Sequence, residues 1–328
     1  RTPSAAYFAV RDEGVVRLTG STFEWVEGLT APRAVDSTSD EPWAKAMTLD
    51  AEGVLHVLTM GGVHRLEGER ARRLAEVWTH EPKSWADAFI VAVDGSVWTA
   101  GAFQAAHFED GTWQTDPLEV QVTGVAQDGA GVVWLATERG AFVRDGGRWK
   151  AVRLNAESSE PEALVGCTTD RSTGDVLLVT KARIYRVRGA DAPARLLRWA
   201  DAPELAPEAR PMLESVATNA AGQLAVVFGG GRELARIDAD GTVVFDRPGV
   251  DFEGFQGCGS ICANAPEPGV ALDDTGRAWF PTAEGLAVLG PGSERTFIPS
   301  GAVPQLVGEI EAIAVVGEGP STPRGGSA

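Results

Sequence analysis

The sequence has few of the side chains that most enzymes rely on. It holds four histidines and three cysteines in 328 residues. It contains no Gly-x-Ser-x-Gly, no phosphate-cradling Walker loop, no His-Glu-x-x-His and no dinucleotide fingerprint, which removes the chemistries those motifs carry. Gly229-Gly230-Gly231-Arg232 is glycine-rich, but it lacks the following helix that phosphate binding needs. No apolar run approaches the ~18 residues of a spanning helix. Positive charge is also scarce. Lys and Arg total 29 against 46 Asp and Glu, for a net charge of −17. Nucleic acid and anionic membrane surfaces would be repelled, so neither is expected as a partner.

What remains is a soluble, core-forming composition, 44% hydrophobic and 23% charged. The chain repeats itself. Gly131-Val132-Val133-Trp134-Leu135-Ala136-Thr137 returns as Gly95-Ser96-Val97-Trp98-Thr99-Ala100 and as Gly276-Arg277-Ala278-Trp279-Phe280-Pro281-Thr282. Weaker copies begin at Gly53, Gly174 and Gly222. The intervals run roughly 36 to 54 residues, the period of a propeller blade. The copy at Val122–Lys150 shows the frame: strands Val122–Ala126, Val132–Thr137, Ala141–Arg144 and Arg148–Leu154, separated by short glycine turns.

The same frame fits Ala44–Val77, Ala86–Thr115, Leu164–Arg198, Leu213–Asp246 and Val270–Ile298. Glu309–Val316 reads as an inner strand with nothing after it. Ala6–Val10, Gly14–Leu18 and Phe23–Glu27 read as three outer strands with nothing before them. Joined, the ends complete one blade, close the ring and remove both sheet edges. The expected fold is an all-β, seven-bladed β-propeller of four antiparallel strands per blade. It fills residues 4–318 as a single domain, with a Gly-, Ser- and Pro-rich tail or linker at 319–328.

Asp128–Thr137, followed by Gly140 and by Asp145-Gly146, resembles the repeats of the two-component regulator propeller family. That resemblance implies an extracytoplasmic sensor-type propeller and carries no catalytic motif. The expected location is periplasmic or extracellular, in one form lipid-anchored through a segment absent here. The chain starts Arg1-Thr2-Pro3 without a Met, as a processed or truncated chain would.

Cys258 and Cys262 lie close enough to form a disulfide across a long irregular segment. No further Cys or His lies near them to complete a metal site. Cys167 sits in an apolar strand and reads as a buried free thiol. His64, His107 and His56 occupy slots that other copies fill with packing residues. His80 instead lies in a connection between blades. The aspartates of Asp238-Ala239-Asp240-Gly241 and Asp273-Asp274-Thr275-Gly276 sit where the repeat requires turns, not calcium loops.

Counting back from each second-strand glycine places Lys45, Asp87, Thr123, Val165, Glu214, Pro268 and Glu311 at the channel mouth. Carboxylates and a lysine around one axis suit a cation or an amine-bearing ligand, or are solvated by channel water. Trp43 and Trp85 precede inner strands and either cap their own blades or form an aromatic rim. Phe252 and Phe255 belong to the long connection Arg247–Pro268, expected as a lid or docking element. The candidate ligand-binding set is therefore Trp43, Lys45, His80, Trp85, Asp87, Glu214, Phe252, Phe255 and Glu311. No cofactor and no bound metal are expected. The first functional reading is a monomeric, non-enzymatic propeller that recognises a protein, peptide or glycan on its channel face. The alternative is a metal-dependent lyase or lactonase, with Asp87, Glu214 and Glu311 as ligands and His80 as acid or base.

Overall fold

A computed structural model describes residues 5–10, 13–30, 44–50, 52–59, 61–76, 88–101, 103–154, 161–190, 194–197, 213–228, 233–239, 242–246, 270–282, 285–291, 294–306 and 310–316. The described secondary structure is almost entirely β. Its helices are two single 3-10 turns, Ser300–Ala302 and Pro304–Leu306. No helix among the described residues is long and apolar enough to cross a membrane.

The strands form four-strand antiparallel units. One comprises β12 (Val122–Gln127), β13 (Val133–Thr137), β14 (Gly140–Asp145) and β15 (Arg148–Val152). Four further units begin with β8 (Ala88–Val91), β16 (Leu164–Thr169), β20 (Leu213–Thr218) and β24 (Ala271–Leu272), and each is a separate four-stranded sheet. The remaining eight strands make one sheet. In it β28 (Ile310–Val316) pairs antiparallel with β1 (Ala5–Val10), followed by β2 (Gly14–Thr19) and β3 (Thr22–Thr30). Beyond β3 come β7 (Arg70–Glu76), β6 (Gly62–Glu67), β5 (Leu55–Thr59) and β4 (Ala44–Leu49). The chain ends therefore zip together: Ala5 pairs with Val316 and Phe8 with Ile313.

The first strands contact one another in a cycle, β28 to β4, β8, β12, β16, β20, β24 and back to β28. One departure from the expected frame lies in β3. The register passes from Val16↔Trp25 to Gly14↔Thr30, so residues 26–29 leave the ladder, and Glu27 makes a single parallel bridge to Arg70 of β7.

The repeat glycines and aspartates build the turn between the first two strands of each unit. Gly131 has φ +85°, a region that L side chains avoid. Asp128 ties that turn: Oδ1 accepts from the Ala130 and Val132 amides at 3.0 and 2.9 Å, and Oδ2 accepts from Trp134 Nε1 at 3.1 Å. Asp273 repeats this with Thr275, Arg277 and Trp279, the last at 3.2 Å. Asp50 binds the Glu52 and Val54 amides and His56 Nε2 at 3.1, 2.8 and 2.8 Å. Asn219 takes the same place through Oδ1, accepting from the Ala221 and Gln223 amides. In the β8 unit Ala92 stands at this position. Asp94 and Ser96 take over, with Trp98 Nε1 donating to Ser96 Oγ at 3.1 Å.

Each second-strand tryptophan then packs on the following unit. Trp134 is fully buried with Leu164, Val176 and Leu178. Trp98 packs with Val122 and Leu135, and Trp279 with Phe8 and Val16. Burial of such rings supplies the apolar attraction that holds neighbouring sheets together.

Candidate functional site

The two ends of the central channel differ. At one end, the turns just described join side by side. Val93 N donates to Gln127 Oε1 at 2.9 Å, Gly129 N to Gly174 O at 2.7 Å and Asn219 Nδ2 to Asp273 O at 2.9 Å. A Cβ on Gly174 would lie 2.9 Å from Gly129 Cα, so only glycine permits this approach.

The other end is the mouth, where the first strands begin. There the register of five first strands, β4, β12, β16, β20 and β28, skips one residue. Ala44 pairs with Thr59 and Ala46 with Leu58, leaving Lys45 unpaired. Thr123, Val165 and Glu214 are left out in the same way on β12, β16 and β20. On β28, Ile310 pairs with Val10 and Ala312 with Ala9, leaving out Glu311. The residues singled out by counting from the turn glycine are thus the extra residues of five β-bulges. A bulge bends its strand and re-aims a side chain away from the regular pleat.

At the Thr123 bulge and below it, the inner strands are laced across units. Thr123 Oγ1 donates to Leu164 O at 3.0 Å, Thr169 Oγ1 to Gln127 O at 2.7 Å and Thr218 Oγ1 to Thr169 O at 3.0 Å. A Cβ on Gly124 would stand 2.9 Å from Cys167 N. Cys167 is a free cysteine, partly buried as a residue and packed against the Trp134 cluster. Burial pushes its thiol up to about 12, so it stays protonated and unreactive at neutral pH.

The turns between second and third strands also lie at the mouth, and sequence reasoning did not weigh them. Thr137 Oγ1 donates to Gly140 O at 2.7 Å and accepts from Arg139 N at 3.1 Å. Thr180 accepts from the Ala182 and Arg183 amides in the next unit. These clamps display exposed Arg139, Lys181 and Arg183. Phe103, on the corresponding turn of the β8 unit, is 60% exposed. The threonine three residues before Gly140 was a readable signal for such a turn.

The other predicted residues divide as follows. Lys45, Glu214 and Glu311 have their backbones in described strands. Trp43, His80, Trp85, Asp87, Phe252, Phe255, Cys258, Cys262 and Pro268 lie outside the described residues. His56 and His107 are buried packing residues, as their slots implied. His107 stacks on Trp98 with centroids 4.4 Å apart. Burial holds His56 and His64 below the ordinary histidine pKa, although the Asp50 contact opposes the shift at His56. Burial also tends to raise the Asp273 carboxyl, but hydrogen bonds from Thr275, Arg277 and Trp279 outweigh it and leave the group below its usual range.

Among the described residues, no three His, Cys, Asp or Glu side chains gather as a metal site. A cavity of about 260 Å³ lies away from the mouth, where β3 leaves β2, lined by Tyr7, Arg17, Glu24, Trp25 and Glu69 among others. Arg17 spans it, pairing with Glu24 at 2.7 Å and Glu69 at 3.1 Å.

No family model matches the chain, and no curated protein matches it. Solved structures do. A catalytically inactive virginiamycin B lyase from Staphylococcus aureus, with quinupristin, aligns at TM-score 0.58 and 13% identity over 78% of this chain and 84% of that one. A protein from Lactobacillus plantarum aligns at 0.58 and 12% over 95% and 99%. PorZ, a bacterial surface component of the type-IX secretion system of Porphyromonas gingivalis, aligns at 0.57 and 15% over 91% of this chain and 37% of that one. At these identities the likeness carries the fold alone: the chain is an all-β propeller.

Proposed function

We propose that this propeller is a non-enzymatic recognition module whose channel mouth engages a protein, peptide or glycan. The observation that carries the reading is the ring of bulges. Lys45, Thr123, Val165, Glu214 and Glu311 leave the ladder at the same point of five first strands. Uniform departures from regular pairing at one end, with turns laced together at the other, give the molecule one end suited to contact. Reading the eight-stranded sheet as two units gives seven blades, in a single domain over residues 4–318. The repeat's resemblance to two-component regulator propellers supports a sensor-type, monomeric module in the periplasm or outside the cell. The fold shared with PorZ, a bacterial surface component, fits that setting.

The test is a peptide and glycan array probed with the wild type and with Trp85→Ala. The reading expects hits that weaken with the substitution while the melting temperature holds. Hits that Trp85→Ala leaves unchanged would place recognition elsewhere.

A second reading is a metal-dependent lyase or lactonase, favoured by the fold shared with a virginiamycin B lyase. Asp87, Glu214 and Glu311 would hold a divalent cation, which would supply Lewis acidity there, with His80 as acid or base. Glu214 lies on β20 and Glu311 on β28, with β24 between them in the cycle of first strands. Elemental analysis and thermal shifts with Ca²⁺ or Mg²⁺ separate the readings. Bound metal or a shift of several degrees would favour the second.

A further inference from the structure

The cavity beside β3 is a second concave feature, independent of the mouth. It opens where residues 26–29 leave β2 and Glu27 bridges to Arg70, between the closing unit (β28, β1, β2 and β3) and the β4 unit. Gly28, at φ +85°, makes that crossing, and a Cβ there would stand 3.2 Å from Ala71 O. The register lays Tyr7, Arg17 and Glu24 in one row across three strands. Tyr7 holds the slot that Trp134 fills in the β12 unit: their third-strand partners, Arg17 and Val143, each lie three residues past the glycine that opens the strand. Trp134 donates to Asp128, six residues earlier, whereas Arg1 stands six residues before Tyr7. Tyr7 is 6% exposed, and no hydrogen bond among the described residues takes up its proton. Burial raises its pKa, with Arg17 opposing, so the phenol keeps that proton at neutral pH.

The charges at this seam are nearly balanced. Arg17 Nη2 donates to Glu24 at 2.7 Å and to Glu69 at 3.1 Å, Arg70 holds Glu27 at 2.8 Å, and Arg72 holds Glu67 at 2.9 Å. An anion would meet the carboxylates, and a cation the Arg17 guanidinium. Hydrogen-bonding capacity is left over all the same. Arg17 uses a single nitrogen on both carboxylates, and the second oxygen of Glu24 and of Glu69 is uncommitted among the described residues. Trp25, Val26 and Leu66 also line the cavity and add apolar surface. Spare donors, spare acceptors and apolar walls in one place suit a molecule whose hydroxyls both donate and accept and whose C–H faces are apolar. We infer that this cavity binds a single uncharged sugar ring, with Tyr7 and Arg17 donating to its hydroxyls and Glu24 and Glu69 accepting from them. Hydrogen bonds to ionised groups are the stronger kind, so few are needed. Pockets for drug-sized ligands hold about 300–1,000 Å³; this one, at about 260 Å³, admits one ring and not a chain. The inference does not rest on the channel-mouth reading.

The test is saturation-transfer NMR on the full chain with the methyl glycosides of glucose, galactose, mannose and N-acetylglucosamine, each titrated alone. The expected result is saturable binding of at least one, with little dependence on salt. Tyr7→Phe keeps the ring and removes the hydroxyl, and should weaken binding about three- to tenfold, the worth of one hydrogen bond. Glu69→Gln should weaken it by a similar factor. Its melting temperature should hold, because Glu69 is 80% exposed and such ion pairs stabilise little. Absence of binding by all four glycosides would overturn the inference, as would binding indifferent to both substitutions. Binding of spermidine or of sulfate that responds to Glu69→Gln, with no glycoside bound, would overturn it in favour of a charged ligand. If Trp85→Ala removes glycoside binding that Tyr7→Phe leaves intact, the cavity assignment fails and the channel-mouth reading stands. If Tyr7→Phe weakens glycoside binding while Trp85→Ala changes no array hit, the cavity assignment stands and the channel-mouth reading fails.

Discussion

The two ends of this propeller are built from the same repeat and differ in how the first strand is held, although side chains tie turns at both. At the turn end, side chains consume the backbone's hydrogen-bonding capacity. Asp128 alone satisfies two amides and the indole of Trp134. At the mouth end, one residue is withdrawn from the ladder on each of five first strands. The first arrangement fixes the angle between neighbouring sheets, and the second frees positions for variation. Sequence follows that division. The turn end repeats Asp, Gly and an aromatic or His, while the bulged position holds Lys, Thr, Val and Glu in different copies.

The contrast predicts unequal responses to substitution. Trp134→Ala should be the most damaging, destabilising by about 3–5 kcal/mol in urea denaturation, because it empties a buried contact between sheets. Asp128→Ala should follow at about 2–4 kcal/mol, since it strands a buried indole N–H and two amides. Gly131→Ala forces a side chain into a left-handed turn and should lose about 1 kcal/mol. Glu214→Gln with Glu311→Gln should change stability by no more than ~0.5 kcal/mol while altering ligand capture. A mouth variant as destabilised as Asp128→Ala would erase the distinction between the ends.

Acid sharpens the comparison. His56 and His64 have lowered pKa values, so the folded chain binds fewer protons than the unfolded chain just below the ordinary histidine pKa. Their contribution is present above about pH 6.5 and is lost as pH falls below it. Asp273, also lowered, contributes above about pH 4 and loses its share on further acidification. The melting temperature should fall between about pH 7.5 and pH 5.5, and His56→Gln with His64→Gln should flatten that slope.

The fold was legible because turn length is fixed. Eight residues from a turn glycine back to the mouth located Lys45, Thr123 and Glu214, which the registers identify as bulged. The closing pair of terminal segments was also legible, since Glu309–Val316 and Ala6–Val10 each lacked a partner in sequence. The bulges themselves were not, because an unpaired residue leaves no mark in periodicity. The aspartate clamp could have been read from its regular place three residues before the glycine and six before the aromatic. The crossing of β3 to β7 and the exposure of Phe103 depend on contacts between units, which one-dimensional patterning does not record.

Residue-resolved amide hydrogen exchange tests the division between the ends most directly. The clamped amides of Val54, Val132, Gln223 and Arg277 should exchange only through global unfolding, whereas those of Lys45, Thr123, Val165, Glu214 and Glu311 should exchange through local openings at far lower free energy. Equal protection at both sets of positions would contradict the account.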